Sequence, residues 1–149
     1  MGWTFYPKPA NVKADLERNL TWTDSNGSRR VLKSGIVARN EFYAAVEHVA
    51  PDGTRKVWAA AHILKFAPSA ADGYTFGVKE QSEDMGPYIA RCPESILELL
   101  TPTESDWANK WRQQCRDYHT RRRERVAMKR KALADYRAAC QQRGVDPRH

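Results

Sequence analysis

"FYAAVEHVAPDGTRKVWAAAHILKF", residues 42–66, is the stretch on which the fold turns. At its centre Pro51-Asp52-Gly53-Thr54 has the composition of a tight hairpin turn. The residues on either side alternate. Tyr43, Ala45, Glu47 and Val49 share one face of the first strand, and Phe42, Ala44, Val46 and His48 share the other. In the second strand Trp58, Ala60, His62, Leu64 and Phe66 lie on one face, and Val57, Ala59, Ala61 and Ile63 on the other. Apolar residues occur on both faces, and many are alanine. Something bulky can therefore lie close on each side of the hairpin.

Working outward, Val31–Arg39 reads as another strand, with Ser34-Gly35 predicting a bulge or bend. Tyr74–Glu80, after the "SAADG" turn at 69–73, reads as a fourth. The expectation is an antiparallel meander of about four strands. Upstream, "MGWTFYPKPA" (1–10) reads as an extended segment laid on the core. Asn11 can cap a short helix through about Leu20, with Val12, Leu16 and Leu20 on one face. "DSNGS" (24–28) is a turn. Downstream, "EDMGPY" (83–88) is a turn, and Pro93 starts a short helix through Leu100 that points Ile96, Leu97 and Leu100 inward.

After "TPT" (101–103), Thr103 with Asp106 three residues on predicts the N-cap of a last helix, Glu104 to about Arg143, stopped by Gly144 and Pro147. Forty residues would span roughly 60 Å. One stripe runs along it: Trp107, Trp111, Cys115, Tyr118, then Arg122, Val126, Lys129, Leu133, Tyr136 and Cys140. The stripe is apolar at both ends and largely polar in its middle. Trp107 and Trp111 are thus expected to anchor the first part on the core, with the basic middle leaving it. The fold class is α+β: an antiparallel sheet, a short N-terminal helix and a long basic C-terminal helix. The expected division is a core over 1–103, the helix over 104–143 and a tail over 144–149.

Charge is distributed unevenly. Residues 1–100 hold 12 Lys/Arg and 12 acids. From Lys110 to Lys131 there are ten bases against Asp117 and Glu124. The chain as a whole carries +7, so the excess sits on one helical segment, with "HTRRRERVAMKRK" (119–131) at its heart. Such asymmetry points to a local interaction face. Lys110, Arg112, Arg116, Arg121, Arg122, Arg123, Arg125, Lys129, Arg130 and Lys131 are the candidate partner- or nucleic-acid-binding residues. Arg112, Arg116, Arg123 and Arg130 fall close to one face, while Arg121, Arg122 and Arg125 spread charge around the helix. All-round charge favours phosphate contacts over base reading, and the leucine heptads of a basic zipper are missing. The plain alternative is a solvated charged helix.

Other chemistry is thinly represented. Three widely spaced cysteines, Cys92, Cys115 and Cys140, form no CxxC pair and suit a reducing, intracellular setting. No signal peptide or membrane span is read, which makes the expected location cytoplasmic. His48 and His62 have no partners at metal-ligand spacing. Cys92 precedes a helix start that could lower its pKa, against the simpler role of a small buried residue. Glu80, Glu83 and Asp84 could hold Mg²⁺, act as an acid–base pair, form a solvated loop or salt-bridge to the basic helix. No phosphate-cradling glycine motif occurs, and no cofactor is expected. Trp3, Phe5, Tyr6, Trp22, Trp58, Trp107 and Trp111 are mostly core candidates, and any exposed ones could stack on bases or fill a partner's pocket.

Met1-Gly2-Trp3, Met85-Gly86-Pro87-Tyr88, Cys92-Pro93 and Trp107 together resemble an uncharacterised family of small proteins carried by phages, plasmids and other mobile elements. The resemblance covers about residues 1–115. Family members often have Ser where this chain has Asp84, and the basic extension is less shared. The resemblance implies no established activity and no catalytic residues. It favours a counter-defence role, concretely an anti-CRISPR protein that binds a CRISPR effector protein or ribonucleoprotein. The alternative is a small regulator that binds DNA or RNA directly. Net positive charge argues against mimicry of DNA.

Overall fold

The computed structural model describes residues 3–7, 11–38, 40–66, 74–83 and 89–144. The Met1-Gly2 start, the "SAADG" turn, Asp84 to Tyr88 with the Met-Gly-Pro-Tyr motif, and the tail from Val145 lie outside them. In chain order the elements are β1 (Thr4–Pro7), α1 (Val12–Asn19), β2 (Trp22–Asp24), β3 (Gly27–Val37), β4 (Glu41–Val49), β5 (Arg55–Phe66), β6 (Tyr74–Ser82), α2 (Glu94–Leu97) and α3 (Asp106–Arg143). The chain divides into two compact units, Met1–Cys115 and Arg116–His149, with the boundary inside α3.

The first unit is α+β. Its antiparallel sheet has six strands in the order β1-β6-β5-β4-β3-β2, two more than the sequence pattern predicts. The meander is the expected one. The additions are short edge strands: β1 pairs with β6, and β2 pairs with β3 across the 24–28 turn. Pro7 is tolerated in β1 because an edge strand has one side free of ladder hydrogen bonds. The bend in β3 also falls elsewhere. Its register shifts between Val31 and Lys33, and not at Ser34-Gly35.

The hairpin forms around Gly53, which sits at φ 89°, and Asp52 Oδ1 accepts the Thr54 N–H at 2.9 Å. Its register pairs Ala44 with Ala60, Ala45 with Ala59 and Tyr43 with Ala61. Both faces are buried. On one, Leu16 of α1 and Leu20 at its C-cap pack on Phe42, Ala44, Val46, Ala60, Leu64 and Val78. Asn11 caps that helix by accepting the Ala14 N–H at 3.0 Å. On the other face, Ile96 and Leu97 of α2, with Leu100, Trp111 and Cys115, pack on Tyr43, Ala45, Val57, Ala59 and Ala61. The alanines keep both faces of β4 and β5 shallow, and so helices seat on each.

Helix α3 is capped by Ser105, whose Oγ accepts the Ala108 N–H at 3.3 Å. Thr103 instead braces the approach, accepting the Ser105 N–H at 3.2 Å. The buried positions of its first turns are Ala108, Trp111, Arg112 and Cys115. Trp111 is 1% exposed and donates its indole N–H to Ile89 O at 2.7 Å. Trp107, expected as a second anchor, is 61% exposed. No helix among the described residues is long and apolar enough to cross a membrane.

Candidate functional site

The basic residues fall into two groups. Lys110 is exposed on the first unit, its Nζ 5.8 Å from the Trp107 ring centroid. In the second unit Arg116, Arg121, Arg122, Arg123, Arg125, Lys129, Arg130 and Lys131 are all exposed. Helical residues 116–143 hold ten Lys/Arg and three acids, a net of +7 that equals the charge of the whole chain. Charge surrounds the helix because basic residues occupy consecutive positions 121–123 and 129–131. Lys131 pairs with Asp135 at 3.0 Å, one turn on.

Arg112 does not belong with them. It is 4% exposed, and its guanidinium grips Glu83 with two hydrogen bonds, Nε to Oε2 at 3.0 Å and Nη2 to Oε1 at 3.1 Å. Nη1 donates to Thr101 O at 2.7 Å. The basic periodicity that put Arg112 on a binding face could not register an acid 29 residues upstream. Its partner Glu83 is 2% exposed. The acid thus takes the salt-bridging alternative, with Oε1 also accepting the Ala59 N–H at 3.2 Å. This group finishes the sheet. Strand β6 ends at Ser82 opposite Ala60. Beyond it Glu83 takes the Ala59 N–H, and Thr101 exchanges two bonds with Val57, at 2.8 and 2.9 Å. Asp84 lies outside the described residues, and Glu80 is exposed on β6.

Cys92 is fully buried. Burial, then the neighbouring Cys115, pushes its thiol well above the ordinary range. A helix start of only four residues does not overcome that desolvation. Among the described residues no three His, Cys, Asp or Glu side chains converge as metal ligands. No protein-family model, no curated protein and no solved structure matches this chain.

A second feature lies on the α1 face of the first unit. A cleft of about 390 Å³ opens there between α1, β1 and strands β2, β3, β5 and β6. Its floor is apolar, from Leu16, Leu20 and Val78. Trp22, Arg29, Trp58, His62 and Glu80 supply its polar and aromatic walls. The Arg29 guanidinium carbon lies 4.4 Å from the Trp22 ring centroid and 5.8 Å from that of Trp58. His62 is 7% exposed, and its Nδ1 has no hydrogen-bond partner among the described residues. Burial pulls the His62 pKa below its ordinary value, opposed by the charge of Glu80. In the sequence Trp22 and Trp58 are aromatics that suit either the core or a stacking surface. No local pattern marks Arg29, which the hairpin at the "DSNGS" turn sets opposite Trp22.

Proposed function

We propose that this protein is a non-enzymatic binding protein that engages a polyanionic partner through the basic part of α3. The observation that carries this reading is the segregation of charge. Helical residues 116–143 hold a net of +7, and their basic side chains are exposed, while the chain outside them sums to neutrality. Clustered cations concentrate attraction for phosphates and raise association rates without fixing a base sequence. Two candidate chemical groups of the first unit, Glu83 and Cys92, are committed to structure, which supports a binding role over catalysis. Glu83 is held by Arg112, and the Cys92 thiol is buried.

The specific partner we propose is a host-defence ribonucleoprotein of the CRISPR type, blocked in the host cytoplasm. This step rests on the resemblance to mobile-element proteins. The second reading, a small regulator that binds DNA or RNA directly, is favoured by the all-round placement of Arg121, Arg122, Arg123 and Arg125.

Two measurements separate them. In cells with an active CRISPR system, the protein should copurify with an effector component and lower plasmid interference. Free nucleic acid bound by the isolated protein should instead show an affinity falling with salt at a log–log slope of about −0.9 per phosphate contacted in a duplex. Converting Arg121, Arg122, Arg123 and Arg125 to Glu should abolish either interaction. Undiminished binding by that variant would remove α3 as the site. Neither copurification nor nucleic-acid binding at low salt would remove the reading altogether.

A further inference from the structure

We infer that the cleft on the α1 face binds a single nucleobase that carries an exocyclic amino group. The site belongs wholly to the first unit and is a second ligand site beyond the proposed role of α3.

Four observations converge on this chemistry. The volume, about 390 Å³, lies within the range of small-molecule sites. Trp22 retains 37% exposure at the wall, enough to offer an indole surface for stacking. His62 lines the cleft and is more than nine-tenths buried, and among the described residues its Nδ1 has no partner, although buried polar atoms in native proteins are nearly always bonded. Glu80 adds an acceptor of the kind that takes an amino N–H, as carboxylates do from cytosine N4.

Arg29 narrows the choice. Its guanidinium carbon stands 4.4 Å from the Trp22 ring centroid and 5.8 Å from that of Trp58, so one cation is already placed among the indoles. A cation of the quaternary-ammonium kind, which paired indoles also attract, would have to displace that guanidinium and stand beside its charge. A neutral flat heterocycle brings no second cation beside Arg29, and bases stack on guanidinium planes as well as on indoles. It stacks on an indole, donates its amino group to Glu80, and leaves Arg29 to face the phosphate or sugar that accompanies a base. A free mononucleotide and an unpaired base of a single strand share this chemistry.

Isothermal titration of the full chain with CMP and UMP tests the inference. CMP should bind saturably with Kd of about 1 mM or tighter. UMP, which lacks the amino group, should bind at least about tenfold more weakly. Trp22→Ala should weaken CMP by roughly tenfold or more. Glu80→Gln should narrow the gap between CMP and UMP, and it also serves if the Trp22 variant does not fold. Trp107→Ala should change nothing, since Trp107 lies outside the cleft.

The variant carrying Arg121→Glu, Arg122→Glu, Arg123→Glu and Arg125→Glu should bind CMP normally. That keeps this test separate from the fate of α3. In that background, binding of a short oligo-dC that is sensitive to Trp22→Ala identifies a base of a strand. Binding of CMP alone identifies a free nucleotide. Absence of saturation by CMP would overturn the inference. So would binding indifferent to both cleft substitutions, or binding lost with the helix charges.

Discussion

Replacing Arg112 with Met should cost the first unit about 3–5 kcal/mol of stability. The magnitude follows from what is left behind. Arg112 makes two hydrogen bonds to Glu83 and one to Thr101 O. The paired side chains are 5% and 3% exposed. Methionine fills much of the volume but leaves the Glu83 carboxylate buried with only the Ala59 N–H as a donor among the described residues. That cost is a large share of a typical domain's 5–15 kcal/mol. Glu83→Gln should cost less, because the amide oxygen can still accept from Arg112 while the charge is lost. The double variant, Arg112→Met with Glu83→Gln, should be more stable than the sum of the singles implies, since it leaves no buried charge unpaired. Urea unfolding followed by tryptophan emission measures each corner of this cycle. A loss below about 1 kcal/mol for Arg112→Met would refute the reasoning. It would mean that the pair is worth no more than a surface ion pair.

Three further outcomes are expected. Trp111→Ala should destabilise by about 3–5 kcal/mol while Trp107→Ala stays within about 0.5 kcal/mol, as their exposures of 1% and 61% require; thermal unfolding of both compares them directly. Gly27→Ala should destabilise by more than about 1 kcal/mol, because Gly27 sits at φ +120° and an added Cβ would lie 2.1 Å from Val49 O. Gly35→Ala meets nothing within 4 Å and should be near neutral in the same denaturation assay. Arg30 first and Arg55 second hold the Glu47 carboxyl below its ordinary value of 4.5. A depressed folded-state pKa contributes stability that is fully present above the unfolded value and is lost as pH falls through the folded one. Glu47→Gln should therefore flatten the acid limb of the stability–pH curve below about pH 5, with little change in its slope above.

The helix start illustrates how far local signals reach. Thr103 and Ser105 are both acceptable caps, and only the placement of the backbone selected Ser105. The same holds for the Trp107–Trp111 pair. They are one turn apart and indistinguishable by type. The rotation of α3 that seats Trp111 and Cys115 on the alanine-rich sheet leaves Trp107 outside. Strand β2 leaves no sequence signal because three residues beside a turn give no measurable alternation.

What the sequence determined by itself is whatever depends on neighbours along the chain. The 42–66 hairpin, its alternation, its two buried faces and the Asn11 cap all follow from period and turn chemistry. The segregation of charge onto residues 116–143 is likewise countable without coordinates. Tertiary structure alone decided the rest. It put Arg112 against Glu83, brought Trp22, Arg29, Trp58 and His62 around one cleft, and made the start of the chain an edge strand. Each of those depends on residues far apart in sequence, whose meeting is fixed by strand register and helix rotation and not by local propensity.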